Sequence, residues 1–386
     1  MNNWKKCKLG DIAEITMGQS PKSEFYNFDN IGMPFLQGNR TFGRKYPYFD
    51  TYCTEYKKIA KKGEILFSVR APVGDINFAN NDICIGRGLC SMNAKNGENE
   101  FLYYLLHNLR SVIINNESGS VFGSVNKNDL QTIEILLPLL EEQRQIATIL
   151  SSIDDKIELL HEQNKTLEEL AQTLFLNWFK DREFNSTISD FISMQNGFAF
   201  KSKDFIDYGD NGVIKIKNIS NGIVDIVNTD KISQNTINEV NNKFNINSGD
   251  ILFAMTGAEI GKMGIVPSTN KKLWLNQRVG MVKERFLGAR FLAYIHLTSE
   301  FGYDYVINSA TGSAQENISA TDIENCPFVK LTSEEIVSYS KQLNDFFEKI
   351  IFNLGEIQTL ENMRDILIPK LLNGEIKITN QRRMCE

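Results

Sequence analysis

The sequence predicts an α+β protein built twice over. Two similar mixed α/β modules are each followed by a long helix, and the two helices pair as an antiparallel coiled coil. Two observations predict this. Short segments recur in the same order in both halves of the 386 residues, and each series ends in a long apolar stripe at helical spacing.

The first module occupies residues 1–140. It opens with Leu9-Gly10-Asp11-Ile12-Ala13-Glu14-Ile15-Thr16-Met17-Gly18, and the second with Ile188-Ser189-Asp190-Phe191-Ile192-Ser193-Met194-Gln195-Asn196-Gly197. Further on, Gly63-Glu64-Ile65-Leu66-Phe67 returns as Gly249-Asp250-Ile251-Leu252-Phe253. Near the end of each copy, Gly119-Ser120 and Asn126-Lys127-Asn128-Asp129-Leu130 return as Gly312-Ser313 and Ser319-Ala320-Thr321-Asp322-Ile323. Aligning Gly18 with Gly197 lays Pro34–Asn39 over Val213–Asn218, and Ile85-Gly86-Arg87 over Asn276-Gln277-Arg278. Apolar runs of four to six residues, broken by Gly and Asn, indicate strands with a few helices.

The helix segment 141–183 follows. From Ile146 an alternating four-and-three spacing picks out Ile146, Leu150, Ile153, Ile157, Leu160, Asn164, Leu167, Ala171, Leu174 and Trp178, the seam of a coiled coil. The second module covers 184–332. The second helix, 333–376, repeats the spacing with Tyr339, Leu343, Phe346, Ile350, Asn353, Ile357, Leu360, Arg364, Leu367 and Leu371, and residues 377–386 form a tail. Pro138 precedes the first helix, and Pro369 and Gly374 fall near the end of the second, where breakers belong.

The polar interruptions orient the pair. Paired antiparallel about a common midpoint, Asn164 faces Asn353; paired parallel, these amides face Ile357 and Leu160. An amide can satisfy another amide, whereas one buried against an aliphatic side chain is costly. The antiparallel arrangement with an Asn164–Asn353 layer is therefore expected.

Charge says less. The net charge is −6, yet residues 1–140 carry 16 basic and 14 acidic side chains and 184–332 carry 14 and 15; the excess acid lies in the helices. Near-neutral modules can bind nucleic acid through a local basic face, with tight binding needing another subunit. The cysteines (Cys7, Cys53, Cys84, Cys90, Cys326, Cys385) have no metal-ligand spacing and read as reduced thiols of a cytoplasmic protein. The N-terminus lacks an apolar signal core, and no apolar run reaches membrane-spanning length.

Two similar modules on one chain suit a ligand with two similar half-sites, of which duplex DNA is the leading example. A seam of 32 residues spans about 48 Å, against roughly 34–36 Å for one turn of B-DNA. A bipartite target is expected, with an unread gap set by the helices and two different half-site sequences.

These residues also resemble a family. The run Leu136-Leu137-Pro138-Leu139-Leu140-Glu141-Glu142-Gln143-Arg144-Gln145-Ile146-Ala147 is similar to the helix start of specificity subunits of type I restriction-modification systems. So are Gly63–Phe67 and the closing Leu367-Ile368-Pro369-Lys370-Leu371-Leu372-Asn373-Gly374-Glu375-Ile376. The resemblance covers essentially the whole chain. It implies two target-recognition domains and a non-catalytic subunit that binds double-stranded DNA and two modification subunits. Those partners carry S-adenosylmethionine and methylate adenine at N6; restriction subunits using ATP and Mg join to make the endonuclease. The second helix opens Leu331-Thr332-Ser333-Glu334-Glu335-Ile336, departing from the first, so the two helices need not contact a modification subunit alike. A silent scaffold that occupies modification subunits without reading DNA shares every helix feature.

No catalytic constellation competes. The chain has no Pro-Pro dipeptide for an adenine methyltransferase loop and no GxxxxGK[ST] phosphate loop. Gly119–Ser124 is glycine-rich but lacks the lysine and reads as a turn reaching toward DNA. His107, His161 and His296 are unclustered, and His107 and His296 read as packed in apolar helices.

DNA-reading candidates are polar side chains on loops. Arg and Lys favour guanine, Asn and Gln favour adenine, and all can take phosphate. In the first module they are Gln37, Asn39, Arg40, Arg44, Arg70, Arg87, Ser120 and Lys127; in the second, Lys215, Lys217, Asn218, Thr256, Gln277, Arg278 and Ser313. Asn39/Asn218 and Arg87/Arg278 are polar in both copies and read as scaffold or phosphate contacts. Unshared positions, such as Arg70 opposite Thr256, are better placed to discriminate sequence. Tyr46, Tyr48 and Phe49 are expected in the core rather than on the DNA face.

Overall fold

The computed structural model describes residues 4–115, 123–312 and 316–378. Ser120 and Ser313 lie outside the described residues. The chain divides into two units, one of Met1–Asp155 with Glu361–Glu386 and the other Lys156–Leu360. Each unit thus holds one recognition module together with a stretch of both long helices, Leu140–Phe179 and Ser333–Leu372.

The two modules repeat one topology. In the first, a four-stranded sheet has the order Ala13–Met17, Leu89–Ala94, Ile65–Ser68, Ile76–Phe78. The second has Ile192–Asn196, Val279–Glu284, Ile251–Ala254, Met263–Ile265 in the same order, extended by Gly222–Val224 and Ile219–Ser220. A five-stranded sheet stands beside each. Its centre is one parallel pair, Met33–Leu36 with Ile83–Ile85 in the first module and Asn211–Ile214 with Lys272–Leu275 in the second. The strands are short, and those at the centre are buried on both faces, which is why they read as continuous apolar runs rather than alternating ones.

Gly18 and Gly197 explain why the repeat could be anchored on glycine. A Cβ at Gly18 would overlap the Gly86 carbonyl, and one at Gly197 the Asn276 carbonyl. Two backbones meet there too closely for any side chain.

In the first unit the core lies between the four-stranded sheet, the helix Asn99–Asn115 and the long helices. Phe67, Met92, Phe101, Tyr104 and Leu106 share it with Ile146, Leu150, Ile368 and Leu371. In the second unit the helix Ala289–Thr298 is buried nearly throughout, and Phe291 stacks on Phe347 of the second long helix at 4.4 Å between ring centroids. Gly288 caps that helix with φ +83°, and a Cβ there would press on the Ser340 carbonyl.

The long helices run antiparallel in both units. In the second unit, Trp178 lies on Tyr339 at 4.6 Å, Lys156 pairs with Glu356 at 3.3 Å, and the Asn353 amide donates to Asn164 Oδ1 at 2.8 Å. In the first unit, Arg364 Nη1 donates to Asp154 Oδ1 at 2.9 Å. Each of the seam positions from Ile146 to Trp178 and from Tyr339 to Leu371 is buried or half-buried. The apolar stripe is wider than that seam. Phe175, Phe179, Ile336, Phe347, Ile351 and Leu354 are also buried, and of these Phe175 and Phe179 pack on Phe328, Phe347 on Phe291 and Ile351 beside Gly249 of the second module.

The run that starts the first helix has a local purpose. Gln143 is 3% exposed; its amide donates to the Pro138 carbonyl, and its Oε1 accepts from Asn96. Arg144 pairs with Glu98 at 2.7 Å, and the Trp4 indole donates to Glu142. The second helix is started differently, by a reciprocal box in which the Thr332 amide donates to Glu335 Oε2 and the Glu335 amide to Thr332 Oγ1.

Candidate nucleic-acid interface

Backbone hydrogen bonds gather candidates from separate stretches of the first module onto one ladder. The Gly88 amide donates to the Gln37 carbonyl, the Val69 amide to the Gly88 carbonyl, and the Val125 amide to the Val69 carbonyl. Arg70 and Ser124 form the next antiparallel bridge. Gln37, Arg87 and Arg70 therefore stand on or beside adjacent rungs, Lys127 opens the short helix Lys127–Gln131 two residues beyond Val125, and all four are exposed. Ser20, which sequence reasoning missed, ties two of them together. Its hydroxyl donates to Gln37 Oε1 at 2.8 Å and accepts from the Arg87 amide at 3.1 Å. The signal for it was the Gly18 close approach two residues earlier.

The second module repeats the ladder. The Met255 amide donates to the Arg278 carbonyl and the Ile318 amide to the Met255 carbonyl, with Thr256 bridged to Asn317. Arg278 and Gln277 are exposed on the corresponding turn, which the Asn276 side chain closes. Among the described residues, the side chains of Arg70, Arg87, Lys127 and Arg278 make no hydrogen bond or ion pair within the protein, so their charge is available to an anion.

The register corrects two sequence equivalences. Gly86 and Asn276 both donate to the last residue of a parallel strand, Leu36 and Ile214 respectively. Arg87 therefore corresponds to Gln277, and Arg278 to Gly88. Two residues separate Leu36 from the 3-10 turn Asn39–Thr41, whereas one separates Ile214 from the turn Ile216–Asn218. Asn39 opens its turn and Asn218 closes the other, so they are not counterparts. The Arg70/Thr256 equivalence matches the bridges above.

Other candidates are engaged inside their modules. Asn39 donates to Asp75 at 2.6 Å, and Arg110 holds the other oxygen of that carboxylate. The Arg40 guanidinium lies 2.8 Å from Asp50 and, with Thr51, holds that carboxyl below its usual range. Lys215 and Lys217 converge on Asp230 at 2.6 and 2.7 Å, which lowers its pKa for the same reason. Lys215 also lies 3.9 Å from the Phe205 ring centre. Asn218 is buried and spends its amide on the Asn228 and Lys215 backbones. Arg44 is exposed.

Tyr46 and Tyr48 are not core residues. They are 46% and 58% exposed, because the chain folds back on itself at Phe42–Pro47 and turns both rings outward. Phe49 alone packs inward.

His107 and His296 are packed as expected. His296 is 1% exposed, ringed by Phe175, Phe184, Phe301 and Phe328, and donates to the Pro327 carbonyl. Burial brings its pKa down to about 4, and does the same for His107 against Tyr103. Among the described residues no group of three His, Cys, Asp or Glu could hold a metal ion, and no helix is long and apolar enough to cross a membrane.

Comparison with known proteins agrees with this architecture. The chain is 26% identical to the type I restriction enzyme MjaIX specificity subunit of Methanocaldococcus jannaschii, over 97% of this chain and 94% of that one. A provisionally assigned specificity subunit of the same organism, MjaX, is 42% identical over 45% of this chain and 41% of its own length. The crystal structure of a type I system S subunit from M. genitalium shares the fold, with a TM-score of 0.63 at 17% identity over 98% and 97% of the two chains. Residues 1–169 and 181–362 each match the type I restriction modification DNA specificity domain, and the chain belongs to that family.

Proposed function

We propose that this chain is the non-catalytic DNA-reading subunit of a type I restriction-modification complex. Each module reads one half-site of a bipartite target, and the helix pair sets the gap between them. The observation that carries this is the pair of ladders. They share one backbone plan yet present different side chains, Gln37, Arg70, Arg87 and Lys127 on one and Gln277 and Arg278 on the other, where the Thr256 hydroxyl at the Arg70 position is buried. Two readers of one build and different chemistry suit two half-sites of different sequence.

The helices supply the docking surface in this reading. Leu159 and Leu176 on the first, and Val337, Phe352 and Ile366 on the second, are more than half exposed, although both helices bury apolar faces elsewhere. Two modification subunits, carrying S-adenosylmethionine and methylating adenine, would cover such residues. Restriction subunits with ATP and Mg join where the system has them. The complex works in the cytoplasm, beside the DNA.

The test is adenine-methylation mapping in cells that co-express this chain with its modification subunit, against cells with the modification subunit alone. A bipartite methylated motif that depends on this chain is expected. No new motif, with a partner active alongside another specificity chain, would overturn the reading.

A further inference from the structure

Arg70 stands on a loop that the first module fastens with side chains and the second does not. Among the described residues its exposed side chain makes no hydrogen bond or ion pair, so its aim is set by the backbone that carries it. Arg70, Ala71 and Pro72 form the exposed crest of the loop, between the buried Val69 and Val73. The Val69 end belongs to the ladder. The other end returns to the sheet at Asp75, where polar side chains from three elements meet.

The Ser68 hydroxyl donates to the Pro72 carbonyl at 2.8 Å and accepts from the Asp75 amide at 2.8 Å. The Asn39 side-chain amide donates to the same carbonyl at 3.3 Å and to Asp75 Oδ2 at 2.6 Å. Arg110, on the helix Asn99–Asn115, donates to Asp75 Oδ1 at 2.6 Å, and its stem lies over Gly74. Both carboxylate oxygens are thus taken, one by the turn Asn39–Thr41 and one by the helix. Bonds to an ionised acceptor are short and strong, so two of them from separate elements fix the carboxylate and the loop beside it.

The second module keeps the same backbone frame without this fastening. The Gly74 amide donates to the Ser68 carbonyl and the Ser68 amide to the Asp75 carbonyl; Gly261, Ala254 and Lys262 repeat both bonds. Ala254 therefore replaces Ser68, and Lys262 replaces Asp75 and pairs with Glu259 of its own loop. Tyr303 lies over Gly261 where Arg110 lies over Gly74. Thr256, at the Arg70 position, buries its hydroxyl and presents no charge. The fastening accompanies the long cation and is missing where there is none.

We propose that Asp75 is a positioning residue for the first half-site: held by Asn39 and Arg110, it fixes the loop from which Arg70 reaches a base. A guanidinium that bonds two atoms of one base edge tolerates little error of approach, so discrimination depends on this loop as well as on Arg70. The proposal rests on the ladders being the reading surface.

In the test, the full chain is co-expressed with its modification subunit, and methylation is measured at the target and at every single-base variant of both half-sites. Arg70→Ala identifies the base position that Arg70 reads. Asp75→Asn, which leaves one oxygen for two donors, should relax that same position, methylation of the wrong bases rising roughly tenfold relative to the target. The second half-site should keep its preference, and Asp75→Asn should add nothing to Arg70→Ala in the double variant. Arg110→Met, a change at an exposed side chain, should relax the same position to a smaller extent, and it keeps the test open if Asp75→Asn does not fold. Weaker methylation at all sites with base preferences unchanged would make Asp75 purely structural and overturn the proposal, as would relaxation at a different base. If Arg70→Ala relaxes a position that Asp75→Asn and Arg110→Met leave intact, the proposal fails while the ladder reading stands. If Arg70→Ala alters nothing, the ladder reading fails and this proposal with it.

Discussion

The carboxamides of Asn164 and Asn353 meet inside the helix pair, Nδ2 of Asn353 donating to Oδ1 of Asn164 at 2.8 Å, with Gln163 Oε1 as a second acceptor at 3.2 Å. Asn164 Nδ2 and Asn353 Oδ1 have no partner among the described residues. The layer is thus half-satisfied, which suits a device for register more than for stability. Replacing Asn353 alone by Leu strands the Asn164 amide and should cost about 1–3 kcal/mol. Replacing both by Leu should recover that loss. Calorimetric melting of the two singles and the double measures this, and singles as stable as the parent would remove the layer from the account.

Asp154 raises the same question for charge. It accepts from Arg364 at 2.9 Å and from the Tyr104 hydroxyl at 2.6 Å, with only 12% of its side chain exposed. Arg364→Met leaves a carboxylate with one neutral donor and should destabilise by about 3 kcal/mol. Adding Asp154→Leu should return most of it. If the double variant is worse than Arg364→Met alone, the Tyr104 bond, not the ion pair, dominates.

What was legible in the sequence follows from these contacts. A seam that packs at every turn imposes its spacing on 32 residues, so the antiparallel pairing could be read from two asparagines. The same periodicity hid the second apolar face of each helix. Phe347 and Phe179 lie one position beyond the seam and bury themselves against Phe291 and Phe328, partners far away in sequence. At the interface, residue type suggested Arg40, Lys215 and Lys217 as well as Arg70 and Arg87. What separates them is whether a carboxylate sits within reach, and Asp50 and Asp230 are brought there only by folding. The one-residue difference between the turns after Leu36 and Ile214 is likewise invisible until strand register is known.

That separation has a measurable consequence. Arg70→Ala and Arg87→Ala should relax the first half-site of the methylated motif and leave the second unchanged, each costing about 1–3 kcal/mol of discrimination. Arg40→Ala, whose guanidinium already serves Asp50, should leave the motif intact. Methylation mapping of the three variants decides it. A motif altered by Arg40→Ala but not by Arg87→Ala would put the reading surface elsewhere.

His296 makes stability depend on pH. Its folded pKa of about 4 lies below the ordinary value of 6.5, because burial disfavours the cation. As pH falls through 6.5 the unfolded chain takes up the proton first, so the stabilisation present above that pH is lost progressively down to about 4. At pH 5 the loss amounts to about 2 kcal/mol. His296→Gln removes this titration while leaving His107 in place. The stability difference between parent and variant should therefore narrow from pH 7.5 to pH 5, by denaturant unfolding at each pH. A constant difference would mean that the imidazole is not held neutral.

The helices provide the last test, because their length is open to engineering. Both run forty residues without a break, Leu140–Phe179 and Ser333–Leu372, and pair through a seven-residue repeat. Deleting one heptad from each, at matched positions away from Asn164 and Asn353, preserves the seam and the facing amides. It shortens the pair by about 10 Å, equivalent to roughly three base pairs of rise. Rotation by whole heptads keeps each module on its own helix face, so both half-site sequences should persist with a shorter gap between them. A deletion of two or five residues instead turns the apolar stripe by more than about 130° away from its partner and should abolish methylation altogether. If the heptad deletion changed the half-site sequences and left the gap untouched, the helices would not be what sets the spacing.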